Sequence, residues 1–269
     1  MTTNGRQLID LGTDELVCET EGVAAWLTFN RPHAHNAMTW AMYDGLYAAC
    51  EHVDADEGIR VFVLRGAGDR AFVAGTDISQ FQAFQTADDA LNYERNLNRY
   101  VSRLEAMQKP TIAMIRGYCV GGGAAIAMAC DLRIASRDAK FGVPIARTLG
   151  NTLSGQNLAR LVTLVGPART KEILFTARFI EAEEGKASGL FTEVIEADHL
   201  ESRTRELASL IASHAPLTLR SLKEGVRRLL EHGRIEEPTD LCLMCYLSED
   251  FKEGVSAFLE KRLPRWKGR

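Results

Sequence analysis

Apolar residues fall along this chain in two alternating rhythms. VAAWLTFN (23–30), VFVLRGAG (61–68), TIAMIRG (111–117) and LRIAS (132–136) are short runs rich in apolar and β-branched residues and bounded by polar, Gly or Pro breaks, as buried strands are. Between them, apolar positions recur every three or four residues. Thr39 is placed to cap a helix running to Val53, with Trp40, Tyr43, Leu46, Tyr47 and Cys50 along one face. Asp88 to Met107 forms a second amphipathic helix, stopped at Lys109-Pro110. AFVAGTDI (71–78) and VGGGAA (120–125) are small-residue turns that follow strands, and the second opens a helix to Cys130. Past about residue 200 the strand signals stop, and 201–216, 217–232 and 248–262 all show helical spacing. The pattern predicts an α/β core of stacked strand-strand-helix units over residues 1–200 and a helical region over 201–269.

Charge and cysteine spacing narrow the function classes. A net charge of −4 leaves no basic excess to neutralise a phosphate backbone, which argues against a general nucleic-acid binder. There is no apolar run of the ~18 residues needed to span a membrane. MTTNGRQLIDLGTDE lacks the apolar stretch of a secretory signal, so a cytoplasmic setting is expected. The six cysteines do not have the spacing of a disulfide scaffold. Cys242 and Cys245 form a C-x-x-C without a second ligand pair, inside LCLMCY, which reads as a buried helix face, so reduced thiols and no metal site are expected.

The glycine triplet Gly121 to Gly123 asks for a reason, because each glycine costs up to about 1 kcal/mol relative to alanine inside a helix. One reason is close packing of the helix on a strand. The other is a ligand approaching bare backbone, where first-turn N–H groups lack partners and the helix dipole is positive. The stretch fits neither phosphate-loop pattern: Ala124 and Ala125 stand where G-x-x-x-x-G-K-[ST] and G-x-G-x-x-G need other residues. With AFVAGTDI as a second turn of the same kind, two backbone N–H groups can converge on one oxygen. In such an oxyanion site a single donor contributes about 2.7–4 kcal/mol of transition-state stabilisation.

At these residues the chain resembles the crotonase (enoyl-CoA hydratase/isomerase) superfamily. NRPHAHNAM is similar to that family's N-R-P-x-x-x-N-A segment, AFVAGTDI to its A-F-x-A-G-x-D-[IL] segment, and IRGYCVGGGAAIAMACDLRIAS to its glycine-rich G-x-x-x-G-G-G segment. RTKEILFTARFIEAEEGKASGLFTEVI and EDFKEGVSAFLEKRLPRW are similar to its central and closing blocks. The resemblance implies a spiral of β-β-α units with a helical C-terminal oligomerisation region, usually a trimer or dimer of trimers. It implies an acyl-CoA thioester as substrate with no further cofactor. The oxyanion donors would be the N–H groups of Thr76 and Gly122. CoA contacts would come from His33, Ala34 and His35, from Ala74, Asp77 and Ile78, from Val120 and Gly121, and from Phe258 and Lys261 near the C-terminus, often of a neighbouring subunit.

The chain departs from the family at one decisive point. The hydratases use two glutamates, one two residues past the glycine triplet and one just after F-G. Here these positions are Ala125 and, depending on the direction of counting, Ile145 or Ala146, and no acid stands from Phe141 to Gly155. Hydration needs one group to activate water and one to protonate the α-carbon, and alanine and isoleucine do neither. Decarboxylation of a malonyl-type thioester, which releases CO2 and leaves an enolate, is therefore favoured. Hydration through substitute groups and a silent CoA-binding protein are the alternatives. Candidates for the acyl pocket are Tyr118, Ala125, Ile145, Arg147 and Asn151, with Thr148, Thr152, Ser154 and Gln156 alongside. Tyr118 reads first as an aromatic packing residue, with a proton donor as the alternative. Asp77 orders its loop, Asp131 is structural, and His199 and His214 are remote.

Overall fold

The computed structural model describes residues 6–79, 85–232 and 239–269. Its core repeats one unit, a strand in each of two sheets followed by a helix. An antiparallel ribbon of β1 (Arg6–Ile9), β2 (Leu16–Glu21) and β3 (Ala24–Phe29) leads into α1 (Trp40–Ala55). Three units follow: β4 (Val61–Gly66), β5 (Ala71–Ala74) and α2 (Ala87–Glu105); β6 (Thr111–Ile115), β7 (Tyr118–Val120) and α3 (Gly122–Ala129); and β8 (Leu132–Ser136) and β9 (Lys140–Gly142) with the short α4 (Ile145–Thr148) and the long α5 (Gly155–Thr176). β10 (Ile180–Glu181), α6 (Ala182–Ala187) and β11 (Glu193–Ile195) close the core. Then come α7 (Leu200–Ala212), α8 (Pro216–His232), α9 (Thr239–Tyr246) and α10 (Glu249–Leu259). Among the described residues one sheet runs β1-β2-β3-β4-β6-β8-β11 and the other β10-β9-β7-β5, parallel throughout except at β1/β2, β2/β3 and β9/β10. This is the expected spiral, with helices alone after β11.

The larger sheet is covered on both faces, which is why its strands read as continuous apolar runs. Phe62 and Leu64 of β4 join Leu27 and Phe29 in the main core against α1 and α2. Val61 and Val63 point the other way, with Ala24 and Trp26, onto Leu200 and Ala208 of α7. Short strands that carry little pattern of their own complete the sheets. AFVA in particular is β5 itself, not only the turn after a strand.

A polar knot between β3 and α1 fixes the loop that carries His33 and His35. Asn36 is fully buried at φ +58°. Its Oδ1 accepts the Arg31 N–H at 2.9 Å, and its Nδ2 donates to the carbonyls of Ala67 and Ala71 at 3.0 and 2.8 Å. The Arg31 guanidinium spans Glu15, the Ala37 carbonyl and Asp77. The Ala74 N–H donates to His35 O, and the Met38 N–H to Gly75 O, so the loop lies along the end of β5.

One expectation is corrected. LCLMCY is helical, but only Leu241 of α9 is buried; Leu243 and Tyr246 are exposed, as is Cys242. α9 packs mainly on α8, so one side of a helix is covered and the rest is not. Cys18, Cys50, Cys119 and Cys130 are buried, and burial raises all four thiols, Cys18 and Cys130 to about 12.

Two predictions follow from this packing. Titration of the native protein with a thiol reagent labels Cys242 first and Cys245 more slowly, and the four core thiols react only after unfolding. Fast labelling of a third thiol in the folded protein contradicts the core as described. Asn36→Ala destabilises the protein by about 3 kcal/mol in urea unfolding, since each buried partner left unsatisfied costs about 1–3 kcal/mol.

Candidate active site

The two glycine-bearing turns meet. A Cβ built on Gly121 would stand 3.6 Å from Gly75 Cα, and one on Gly122 would stand 3.1 Å from Thr76 Oγ1. The three glycines serve three needs. Gly121 has φ +54° and ψ −113°, a conformation that needs the absence of a Cβ. Gly123 lies against β5, where a side chain would run into the Val73 backbone carbonyl. Gly122 lies beside the turn after β5, where a side chain would run into the Tyr43 hydroxyl. Close packing thus accounts for both Gly122 and Gly123.

The backbone directions follow from the pairing. Thr76 forms a parallel bridge with Met38, in which Gly75 O accepts the Met38 N–H and the Asp77 N–H donates to Met38 O. The Thr76 N–H between them therefore points the other way. Gly122 is the first residue of α3, where an N–H has no intrahelical acceptor. Among the described residues, neither amide has a hydrogen-bond acceptor.

Beside the two amides lies a cluster of hydroxyls. Thr76 Oγ1 is 2.9 Å from the Tyr43 hydroxyl and 3.3 Å from that of Tyr93. The Tyr43 oxygen is also 2.5 Å from where a Cβ on Gly122 would be. Burial raises both tyrosines above the ordinary phenol value, so they stay neutral. Tyr43 stacks on Tyr100, whose hydroxyl donates to Asp44 at 2.5 Å, and Trp40 packs edge-on to Tyr93. Sequence periodicity had placed Tyr43 only in the core. Its hydroxyl, which needs a partner when buried, was the available signal, but nothing in the pattern pairs it with Thr76.

The chain is similar to known proteins over nearly its full length. The enoyl-CoA hydratase/isomerase family model matches residues 19–269. The chain belongs to this family, the crotonase superfamily. It is 34% identical to a short-chain-enoyl-CoA hydratase of Clostridium acetobutylicum, covering 93% of this chain and 96% of that one. It is 37% identical to an (E)-benzylidenesuccinyl-CoA hydratase of Thauera aromatica, covering 93% and 98%. A crystal structure of an enoyl-CoA hydratase/carnithine racemase from Magnetospirillum magneticum superposes with a TM-score of 0.90 at 35% identity, over 96% of this chain and 97% of that one.

The structure gathers most of the residues marked out by the crotonase resemblance. His33 and Ala34 end a 3-10 turn, and His35 follows in the left-handed region with both imidazoles exposed. Ala74, Asp77 and Ile78 lie along the adjoining turn, and Val120 and Gly121 lead into α3, with the Gly121 N–H donating to Gly142 O. The Ser79 hydroxyl and amide and the Arg31 guanidinium hold the Asp77 carboxyl below its ordinary range, which fits a loop-ordering role. Ala125 is buried inside α3 and Ile145 half-buried at the start of α4, while Arg147 and Asn151 are exposed.

Other candidates stand apart. The Tyr118 ring packs edge-on to Phe179, with Lys140 over its face. Ser154 caps α5, and Gln156 accepts from Ser102. Thr148 bonds back to Pro144 O. Phe258 is 83% exposed, and Lys261 follows α10, which packs on α9 rather than on the glycine turns. Asp131 accepts from Thr111 and Lys223, the structural role expected of it.

Adding a methyl group separates the three needs. Gly123→Ala prevents α3 from seating on β5 and costs more stability than Gly122→Ala, for which overpacking costs about 1–3 kcal/mol. Tyr43→Phe removes the oxygen that the Gly122 methyl would meet, so the double variant regains part of the loss. Urea unfolding of the two single variants and the pair checks this, and strict additivity contradicts the contact.

Proposed function

We propose that this crotonase-family protein is an acyl-CoA-processing enzyme that holds a thioester carbonyl between the N–H groups of Thr76 and Gly122 and stabilises the enolate formed from it. The observation that carries this is the pair of amides, without acceptors among the described residues, on two turns in contact. Charge moves onto the thioester oxygen as the enolate forms, and preorganised donors bind it more strongly than the ground-state carbonyl. Asp77 is engaged with Arg31 and Ser79, so it leaves the site without a carboxylate at the donors themselves.

With Ala125 and Ile145 where the family's hydratases carry glutamates, the favoured reaction is loss of CO2 from a malonyl-type thioester. The bond from the α-carbon to the carboxylate breaks, its electron pair becomes the enolate, and a proton then returns to the α-carbon. Nothing but the thioester and a proton source is required. The basic Lys261 suits a CoA phosphate, and the exposed apolar residues of α8 and α10, among them Leu222, Val226, Leu230 and Phe258, suit residues 201–269 to a trimer-based assembly in which that lysine serves a neighbouring site. Hydration with substitute acid–base groups is the second reading, favoured by the names of the relatives from Clostridium acetobutylicum and Thauera aromatica.

Mass spectrometry of crotonyl-, 3-enoyl-, malonyl-, methylmalonyl- and 3-hydroxyacyl-CoA incubated with the protein in D2O distinguishes these. Loss of CO2 with deuterium gained at the α-carbon is expected. Water addition to crotonyl-CoA establishes hydration instead, and binding without turnover of any member establishes a silent binder. Gly122→Pro removes one donor, and in a Tyr43→Phe background, which makes room for the ring, it lowers kcat about 10²–10³-fold. Unchanged turnover in that folded variant removes Gly122 from the hole.

A further inference from the structure

Glu94 lies on α2 one residue after Tyr93, whose hydroxyl reaches Thr76. At about 100° per residue, Glu94 shares one flank of α2 with Asn98 and Glu105, four and eleven residues on. That flank faces the entry to α5. Asn98 Oδ1 accepts the Ser154 hydroxyl at 2.7 Å, and Glu105 takes Arg160 in a two-pronged pair at 2.6 and 2.9 Å. Rising numbers on α2 meet rising numbers on α5, so Glu94, one turn before Asn98, stands opposite the chain that precedes Ser154. That stretch follows α4, whose first residues Ile145 and Ala146 stand where the second hydratase glutamate is expected, and it carries Asn151. α2 thus touches Thr76 through Tyr93, and its neighbouring flank carries Glu94 toward the segment that holds Asn151.

Its carboxyl is unlike the others on the elements around α2. Glu94 Oε2 is shut off from water and has no hydrogen-bond partner among the described residues. On α1, Asp44 accepts from Tyr100, and Glu51 and Asp54 pair with Arg103, while Tyr43 is neutral. α3 carries no titratable group, and Arg160 of α5 is held by Glu105. Buried polar atoms without partners are rare in native proteins and concentrate where a ligand supplies the partner.

We propose that Glu94 is the catalytic acid–base group of this site, exchanging a proton with the α-carbon of the thioester whose oxygen Thr76 and Gly122 hold. This rests on the enolate function proposed above. In the forward step the Glu94 O–H bond breaks, the enolate's electron pair forms the new C–H bond, and the carboxylate left behind takes a proton from water. In reverse the carboxylate removes an α-proton and the electron pair moves to the thioester oxygen. Burial raises the Glu94 carboxyl above the ordinary carboxylate value, which favours its acid form. A neutral acid also avoids repulsion with a substrate that carries its own carboxylate.

The test is α-proton exchange of acetyl-, propionyl- and butyryl-CoA in D2O, read by mass spectrometry across pH. Wild-type protein should exchange, with a rate that rises as Glu94 loses its proton and then levels off. Glu94→Gln should lower exchange at least about 10²-fold and abolish that pH dependence, with the Kd for the same thioesters unchanged and no drop in Tm. Glu94→Asp should retain an intermediate rate. Glu94→Gln with wild-type rate and pH profile overturns the proposal, as does a loss of exchange matched by loss of thioester binding or of Tm, which marks a structural residue. Wild-type protein that binds the thioesters without exchange overturns the role of Glu94 and leaves the oxyanion hole standing. Wild-type protein that binds none of them overturns the enolate function and Glu94 with it.

Discussion

The seating of α3 on β5 is the contact on which the site depends. With Gly123 pressed against the Val73 backbone, the first turn of α3 comes within van der Waals reach of the turn after β5. Any side chain at that point holds the helix off, and the two amides separate. Helix propensity alone disfavours glycines there, and the loss is offset by packing of the apolar remainder of α3, Ala124 to Ala129, which is buried throughout. The small residues after the triplet belong to the same constraint, since bulky side chains would not let α3 lie so deep between α2, α5 and the small sheet.

Around this contact the backbone is held by polar groups rather than by regular secondary structure alone. Asn36 and Arg31 tie the loop after β3 to β4, β5 and Asp77. The Met38–Thr76 bridge uses the Gly75 carbonyl and the Asp77 amide, which leaves the Thr76 amide turned away from Met38.

At Ala125 there is a buried methyl, and the space beside Gly122 is bordered by the neutral hydroxyls of Tyr43, Thr76 and Tyr93. Neutral donors can orient a substrate or a leaving carboxylate, but they do not activate water near neutral pH, because burial moves the phenols further from ionisation. Glu94 Oε2, shut off from water without a partner among the described residues, works against stability.

The sequence by itself determined the order and kind of the elements with long or strongly periodic signals. These include β3, β4, β6 and β8, the capped helix α1, the amphipathic α2 and the helical C-terminal region, because burial of one face imposes a period that can be read from residue types. The motifs around Asn36, Gly75 and the triplet likewise identified the family and the two turns, since each needs a residue that few others can replace. Tertiary structure decided the rest. β7, β9 and β10 are two or three residues long and exist as strands only through their partners, and the Tyr118 ring found Phe179 beside it. Tyr43 met Thr76 across 33 positions of sequence, and one oxygen of the Glu94 carboxyl was closed off from water. These are contacts between distant segments, whose energy depends on distance and solvent access, and neither quantity is written in the pattern of any one segment.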